Sequence, residues 1–164
     1  MNHLVTRFAF LFVIVFSMFA TGCPDKSIQK AKSSSARVAT FANAGVNLTR
    51  DLYRQQIISI TVKDRIADAF ITLAKAGQTF DAAVLKVEAQ YGPAAPPRAE
   101  IDKLFAVFDS EVVDGLVDIL KTVTASGIPD KFREIVETLK SAVIVIAKVF
   151  NRAVVVEARL AEVS

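Results

Sequence analysis

Residues 142–158 read AVIVIAKVFNRAVVVEA, and their secondary structure decides the fold class of the whole chain. Eight of these 17 residues are Val or Ile, branched side chains that favour a pleated strand. Asn151-Arg152 falls where a two-residue hairpin turn would reverse such a strand. A hairpin of that length wants glycine after the asparagine, and there is none. Lys140, Lys148, Arg152 and Arg159 recur near helical spacing, and DKFREIVETLK (130–140) leads in without a breaker. The apolar positions Phe132, Ile135, Val136, Leu139, Ala142, Val143, Ile146, Phe150, Ala153 and Val154 advance by threes and fours, which predicts a helix rather than a strand over 142–156. Its apolar arc is wide, since Ile144, Val145, Val149, Val155 and Val156 flank the main stripe. Such a helix is central to a bundle or faces a partner.

Working backwards, Ile101, Leu104, Phe105, Phe108, Val112, Leu116, Ile119, Leu120 and Val123 give the cleanest helical stripe in the chain. Gly127 follows as a helix-ending glycine, and Pro129 is placed to open the next helix. Before it, GPAAPP (Gly92 to Pro97) stops an element that runs through Val62, Ile66, Phe70, Leu73, Phe80, Val84, Val87 and Tyr91, with Gly77 as a kink or break. Val38, Phe41, Ala42, Gly45, Leu48 and Leu52 predict a first helix from about 34 to 58. Four helices of roughly 25–33 residues, about 37–50 Å each, predict an all-α, up-and-down bundle over 37–164. The serine-rich stretch PDKSIQKAKSSSA (24–36) reads as a flexible polar tether in front of it.

The chain opens with Met1 to Arg7, positively charged at Arg7, then an uncharged apolar run from Phe8 to Ala20. A basic start, a short apolar run and a small-residue exit describe a secretory signal peptide. The run is too short to cross about 30 Å of hydrocarbon as a helix. The residues that follow, Ala20-Thr21-Gly22-Cys23, resemble the lipobox of bacterial lipoproteins, with alanine at the position most often leucine. That resemblance implies cleavage between Gly22 and Cys23, a diacylglycerol on the Cys23 thiol, and a domain order of signal peptide 1–22, lipidated tether 23–36 and bundle 37–164. It implies a lipid-anchored protein of the bacterial cell envelope. With Pro24 after the cysteine rather than aspartate, the outer membrane is favoured over the inner where there are two.

Removing 22 of the 164 residues leaves 142, enough for one domain. His3 is the only histidine and leaves with the leader, and Cys23 is the only cysteine. The mature chain therefore lacks the groups for Ser-His-Asp or Cys-His catalysis, for imidazole or thiolate zinc sites, and for disulfides. Residues 24–65 carry eight Lys or Arg against three Asp, whereas 66–164 carry 11 basic and 14 acidic side chains. The basic part lies beside the expected anchor, where it would favour an anionic surface. Scattered charge without interleaved aromatics is not a nucleic-acid footprint.

The remaining motifs are weak. Ser27-Ile28-Gln29-Lys30 matches the Ser-x-x-Lys pattern of penicillin-recognising enzymes but has none of their further signatures. Glu111, Asp114 and Asp118 share a helix face with Asp109 nearby; Lys121 is spaced to pair with Asp118, and the set reads as a solvated acidic face rather than a cation site. Phe70, Phe80, Phe105, Phe108, Phe132 and Phe150 read as core rather than a ligand pocket. Tyr53 and Tyr91 belong to no constellation. The sequence thus predicts no catalytic residue, metal or cofactor. It predicts a non-enzymatic bundle that binds an envelope protein or itself, or serves a structural role, with a lipid or apolar-ligand carrier or a membrane-active module as the alternative.

Overall fold

The computed structural model describes residues 26–92 and 96–163, apart from the side chains of residues 26–30 and of Pro129. The fold is an all-α bundle. α1 (Lys26–Arg54) and α2 (Ile60–Tyr91) are followed by a third rod in which α3 (Arg98–Val107), one π-helical turn (Phe108–Val113) and α4 (Asp114–Ala125) continue one another. α5 (Pro129–Val149) and a short α6 (Ala153–Ala161) complete it. α1 lies against α2 and α5, α2 against the third rod, and α4 against α5, which closes a ring of four rods. Rising numbers on α1 meet falling numbers on α2: Lys32 pairs with Glu88, and Gly45 faces Phe70. The neighbours are therefore antiparallel.

The stretch 142–158 is helical on both sides of a break. Val143, Ile146 and Ala147 are fully buried, in step with Phe132, Val136 and Leu139, while Lys148 points to solvent. The break is at Asn151, which adopts φ 56. Asn151 N–H donates to the Lys148 carbonyl (3.1 Å) and Arg152 N–H to that of Ala147 (2.9 Å). This pair of bonds is the Schellman ending of a helix, in which an asparagine can take the left-handed position. So the asparagine does mark a turn, but one between two helices. The single fourth helix expected from the sequence is two, and α6 folds back on α5.

A second correction concerns the expected tether. Helix α1 begins at Lys26 rather than near 34 and ends at Arg54 rather than 58. Ala31, Ser34 and Ser35 are buried at 2%, 4% and 1% exposure. With Val38, Ala42 and Gly45 they make a seam of small residues at helical spacing, and α2 lies directly on it. A Cβ on Gly77 would stand 3.6 Å from the Ser35 carbonyl and 3.5 Å from the Ala39 nitrogen. The Ser35 hydroxyl lies 2.8 Å from the Lys32 carbonyl and 3.1 Å from an Asp81 carboxylate oxygen, so its polarity is satisfied inside the interface. α2 continues through Gly77 without a break, for 32 residues in all. The glycine faces α1 at ordinary contact distances.

The other punctuation is as read. Gly127 takes φ 75 beyond α4, Pro129 opens α5, and Tyr91 ends α2 before Gly92. At the start of α2, Ser59 accepts the Val62 N–H in its side-chain oxygen, the usual N-cap bond.

The seam yields a paired prediction. A methyl at position 45 would stand 2.4 Å from the Phe70 ring, which is fully buried and stacked on Phe132 at 5.8 Å. Gly45→Ala should therefore cost about 1–3 kcal/mol by overpacking. Gly77→Ala meets only ordinary contact distances and should be neutral or gain about 0.5 kcal/mol of helix propensity. Urea unfolding of the two variants checks the contrast, and equal effects would be inconsistent with the packing described.

Candidate functional site

Gly22 and Cys23 lie outside the described residues, so the structure carries no geometry for the expected cleavage and lipidation site. Ser27 and Lys30 fall in the first turns of α1, with side chains outside the description. What can be built from residues upward is the junction where α6 meets the third rod.

The junction starts from the π turn. Asp114 N–H donates to the carbonyl of Asp109, five residues back, so the backbone makes one wide turn and then resumes as α-helix. In an unbroken α-helix, positions five apart diverge around the axis. Here the wide turn brings Asp109 and Asp114 within reach of one guanidinium. Arg159 of α6 donates from Nη1 to Asp109 at 2.6 Å and from Nη2 to Asp114. The sequence placed Glu111, Asp114 and Asp118 on one face with Asp109 merely near. The inserted residue shifts that register, joins Asp109 to Asp114, and leaves Glu111 and Asp118 exposed. No ion pair joins Asp118 to Lys121 among the described residues.

Burial works against the charge on Arg159, but the hydrogen bonds and charges of Asp114 and Asp109 outweigh it and raise its pKa. A raised pKa on a base contributes stability that is fully present below the unfolded value and is lost only above it, here in strong alkali. The cationic half of the clamp is therefore constant across ordinary pH. Beneath it Val156 and Leu160 are buried, which seats α6 on the bundle.

Beside the clamp, the aromatic residues close the interior. Phe80 of α2, Phe105 of α3, Phe108 of the π turn and Phe150 form one cluster with centroid separations of 5.3–6.3 Å. Arg152 sits over the Phe105 ring at 5.7 Å, a favourable placement for a cation on an aromatic face. Phe70 and Phe132 stack at the other end of the core. The expected core phenylalanines are core. Phe70, Phe80, Phe108 and Phe132 are completely buried, and Phe105 and Phe150 pack against them partly buried. The wide apolar arc of α5 is shared among α1, α4 and α6; of the flanking residues Val155 is largely exposed at 54%, and Val154, read as part of the main stripe, is instead 80% exposed on α6.

Surface grooves occur among the described residues. One of about 330 Å³ runs between α1 and α5, with Phe41, Ala142 and Val145 along it and Arg37 at its edge. The other, about 270 Å³, lies between α4 and α5 beside the Asp130–Arg133 and Glu137–Lys140 pairs. Tyr53 is half-exposed beneath the Lys63 ammonium, and the Tyr91 hydroxyl accepts a hydrogen bond from Gln90. Among the described residues no three His, Cys, Asp or Glu gather where they could hold a metal ion. No described helix is long and apolar enough to cross a membrane. The chain matches no family model, no curated protein and no solved structure.

The Arg159 clamp escaped sequence reading because the π turn has no sequence signal of its own and the three residues are 50 and 45 positions apart. Arg159→Ala should destabilise the protein by about 1–3 kcal/mol, since it leaves two carboxylates without their partner. Hydrogen exchange should quicken across 153–161 before the rest of the bundle. Arg159→Lys, with one ammonium for two carboxylates, should fall between. Unchanged exchange in α6 would show that Val156 and Leu160 hold it without the clamp.

Proposed function

We propose that this chain is a lipid-anchored protein of the bacterial cell envelope, held by a diacylated Cys23, and that its bundle is a non-enzymatic element for protein interaction or structural support. The observation that carries the reading is the N-terminal sequence, a basic start, the Phe8–Ala20 apolar run and the Ala20-Thr21-Gly22-Cys23 junction. A diacyl anchor suits a domain without a described membrane span, because a single chain would bind only marginally.

Two further observations support the non-enzymatic part. The described residues contain no histidine or cysteine, and the two carboxylates brought together at Arg159 are engaged in fastening α6 to the third rod. The interior is packed with rings, which favours an interaction or structural bundle over a carrier that takes an apolar ligand inside. Lys26, Lys30 and Lys32, in the first turns of α1, follow the expected anchor closely in sequence and would add to attraction by an anionic leaflet.

Growth with radiolabelled palmitate tests the anchor directly. The wild-type chain should incorporate label and appear cleaved at Cys23 by mass spectrometry, and Cys23→Ala should incorporate none. Label retained in the Cys23→Ala variant, or an unmodified thiol in the wild type, would remove the basis of the proposal.

A further inference from the structure

Three of the six large apolar side chains exposed among the described residues, Tyr53, Ile57 and Ile60, fall within eight positions at one tip of the bundle. Their exposures are 39%, 44% and 55%. The tip is the reversal between α1 and α2. Gln56 takes φ 60, where side chains other than glycine are uncommon, and its N–H donates to the Tyr53 carbonyl while that of Ile57 donates to Leu52. Ile58 turns inward and is buried at 8%, whereas Ile57 and Ile60 on either side of it turn out. Lys63 from α2 sits over the Tyr53 ring of α1 at 5.1 Å, so both sides of the reversal belong to one surface.

The rim of this surface is basic. Arg50, Arg54, Lys63 and Arg65 lie near it on α1 and α2, against Asp51, Asp64 and Asp68. Asp51 pairs with Arg54 at 3.3 Å and Asp64 with Lys63 at 2.8 Å. Arg50 and Arg65 are exposed and enter no described ion pair, which leaves the tip net positive. A few protruding aromatic and aliphatic side chains ringed by cations match the boundary of an anionic bilayer, where the apolar groups reach below the phosphates and the cations meet them. Three apolar side chains are few for a specific protein interface, which takes about 20–30 residues on each partner.

We propose that the α1–α2 tip docks on the surface of an anionic phospholipid bilayer. It lies at the far end of α1 from Lys26, about 43 Å away for 29 residues. The contact is separate from the expected anchor at Cys23 and does not require an acyl group. It is peripheral, since no described helix is suited to span.

The full chain has no tryptophan, so one introduced in a Cys23→Ser background reports from a single position. Tyr53→Trp should shift its emission to the blue with vesicles of equal parts phosphatidylglycerol and phosphatidylcholine, and not with phosphatidylcholine alone. Val154→Trp on α6, exposed but outside the tip, should not shift with either. In the Tyr53→Trp chain, adding Arg50→Glu with Arg65→Glu should raise the lipid concentration at half-maximal shift about tenfold or more. Ile57→Glu with Ile60→Glu should do the same, with circular dichroism confirming an intact helical fold. The proposal is overturned if position 53 reports no preference for the anionic vesicles, if position 154 shifts instead, or if both paired variants leave the lipid titration unchanged. Because Cys23 is absent throughout, failure here leaves the palmitate result standing, and failure there leaves this one standing.

Discussion

The closeness of α1 to α2 is the constraint on which the rest of the bundle depends. At this contact α1 presents the buried Ser35, Val38 and Gly45, with Gly77 of α2 against Ser35 and Val38 and Phe70 of α2 against Gly45. That proximity presses Phe70 onto Gly45, and the pinned ring then stacks on Phe132 of α5. On the other side of α2, Leu73 Cδ1 stands 3.2 Å from where a Cβ of Gly115 would be, so α4 is also drawn in at a position without a side chain. α2 is thus packed against a glycine on each side, Phe70 on Gly45 of α1 and Leu73 on Gly115 of α4. Close packing of this kind is intolerant of added volume.

The third rod shows a different solution. One extra residue in the π turn would be a defect in an isolated helix, since it departs from the regular ladder. Here it places Phe108 among Phe80, Phe105 and Phe150 and turns Asp109 and Asp114 toward Arg159. The aromatic cluster and the ion-pair clamp therefore share a single backbone irregularity. α6 depends on both, because the Asn151 turn that sends it back follows directly from Phe150.

Apolar periodicity made much of the fold legible in the sequence, and the limits are equally specific. Four rods, the Gly127–Pro129 junction and the helical state of 142–149 were readable because each rests on spacing or on a backbone preference. The serine run was misread because polarity was weighed and size was not. Ser34 and Ser35 are buried for being small, and the step from Ala31 through Ser35 and Val38 to Ala42 is as regular as any leucine stripe. Gly77 was misread for a related reason, since glycine signals both a break and a close approach. Asn151 was weighed only as a hairpin turn and, with the hairpin rejected, read as helix interior, although a left-handed residue serves hairpins and helix ends alike. The exposed tip was beyond reach, as nothing in the order of Ile57, Ile58 and Ile60 tells which of them turns inward.

The early start of α1 has a mechanical meaning. Only Pro24 and Asp25 separate Cys23 from the first residue of a rod that is packed into the bundle from Ala31 onward. A long supple leash would let the domain wander and search the space around its point of attachment. With only two residues before the described helix, an acyl group at Cys23 would hold the first turn of α1 close to the surface to which it is fastened. The α1–α2 tip lies about 43 Å along α1 from Lys26, so the anchor and the tip together would grip that surface at two separated places and lay α1 along it.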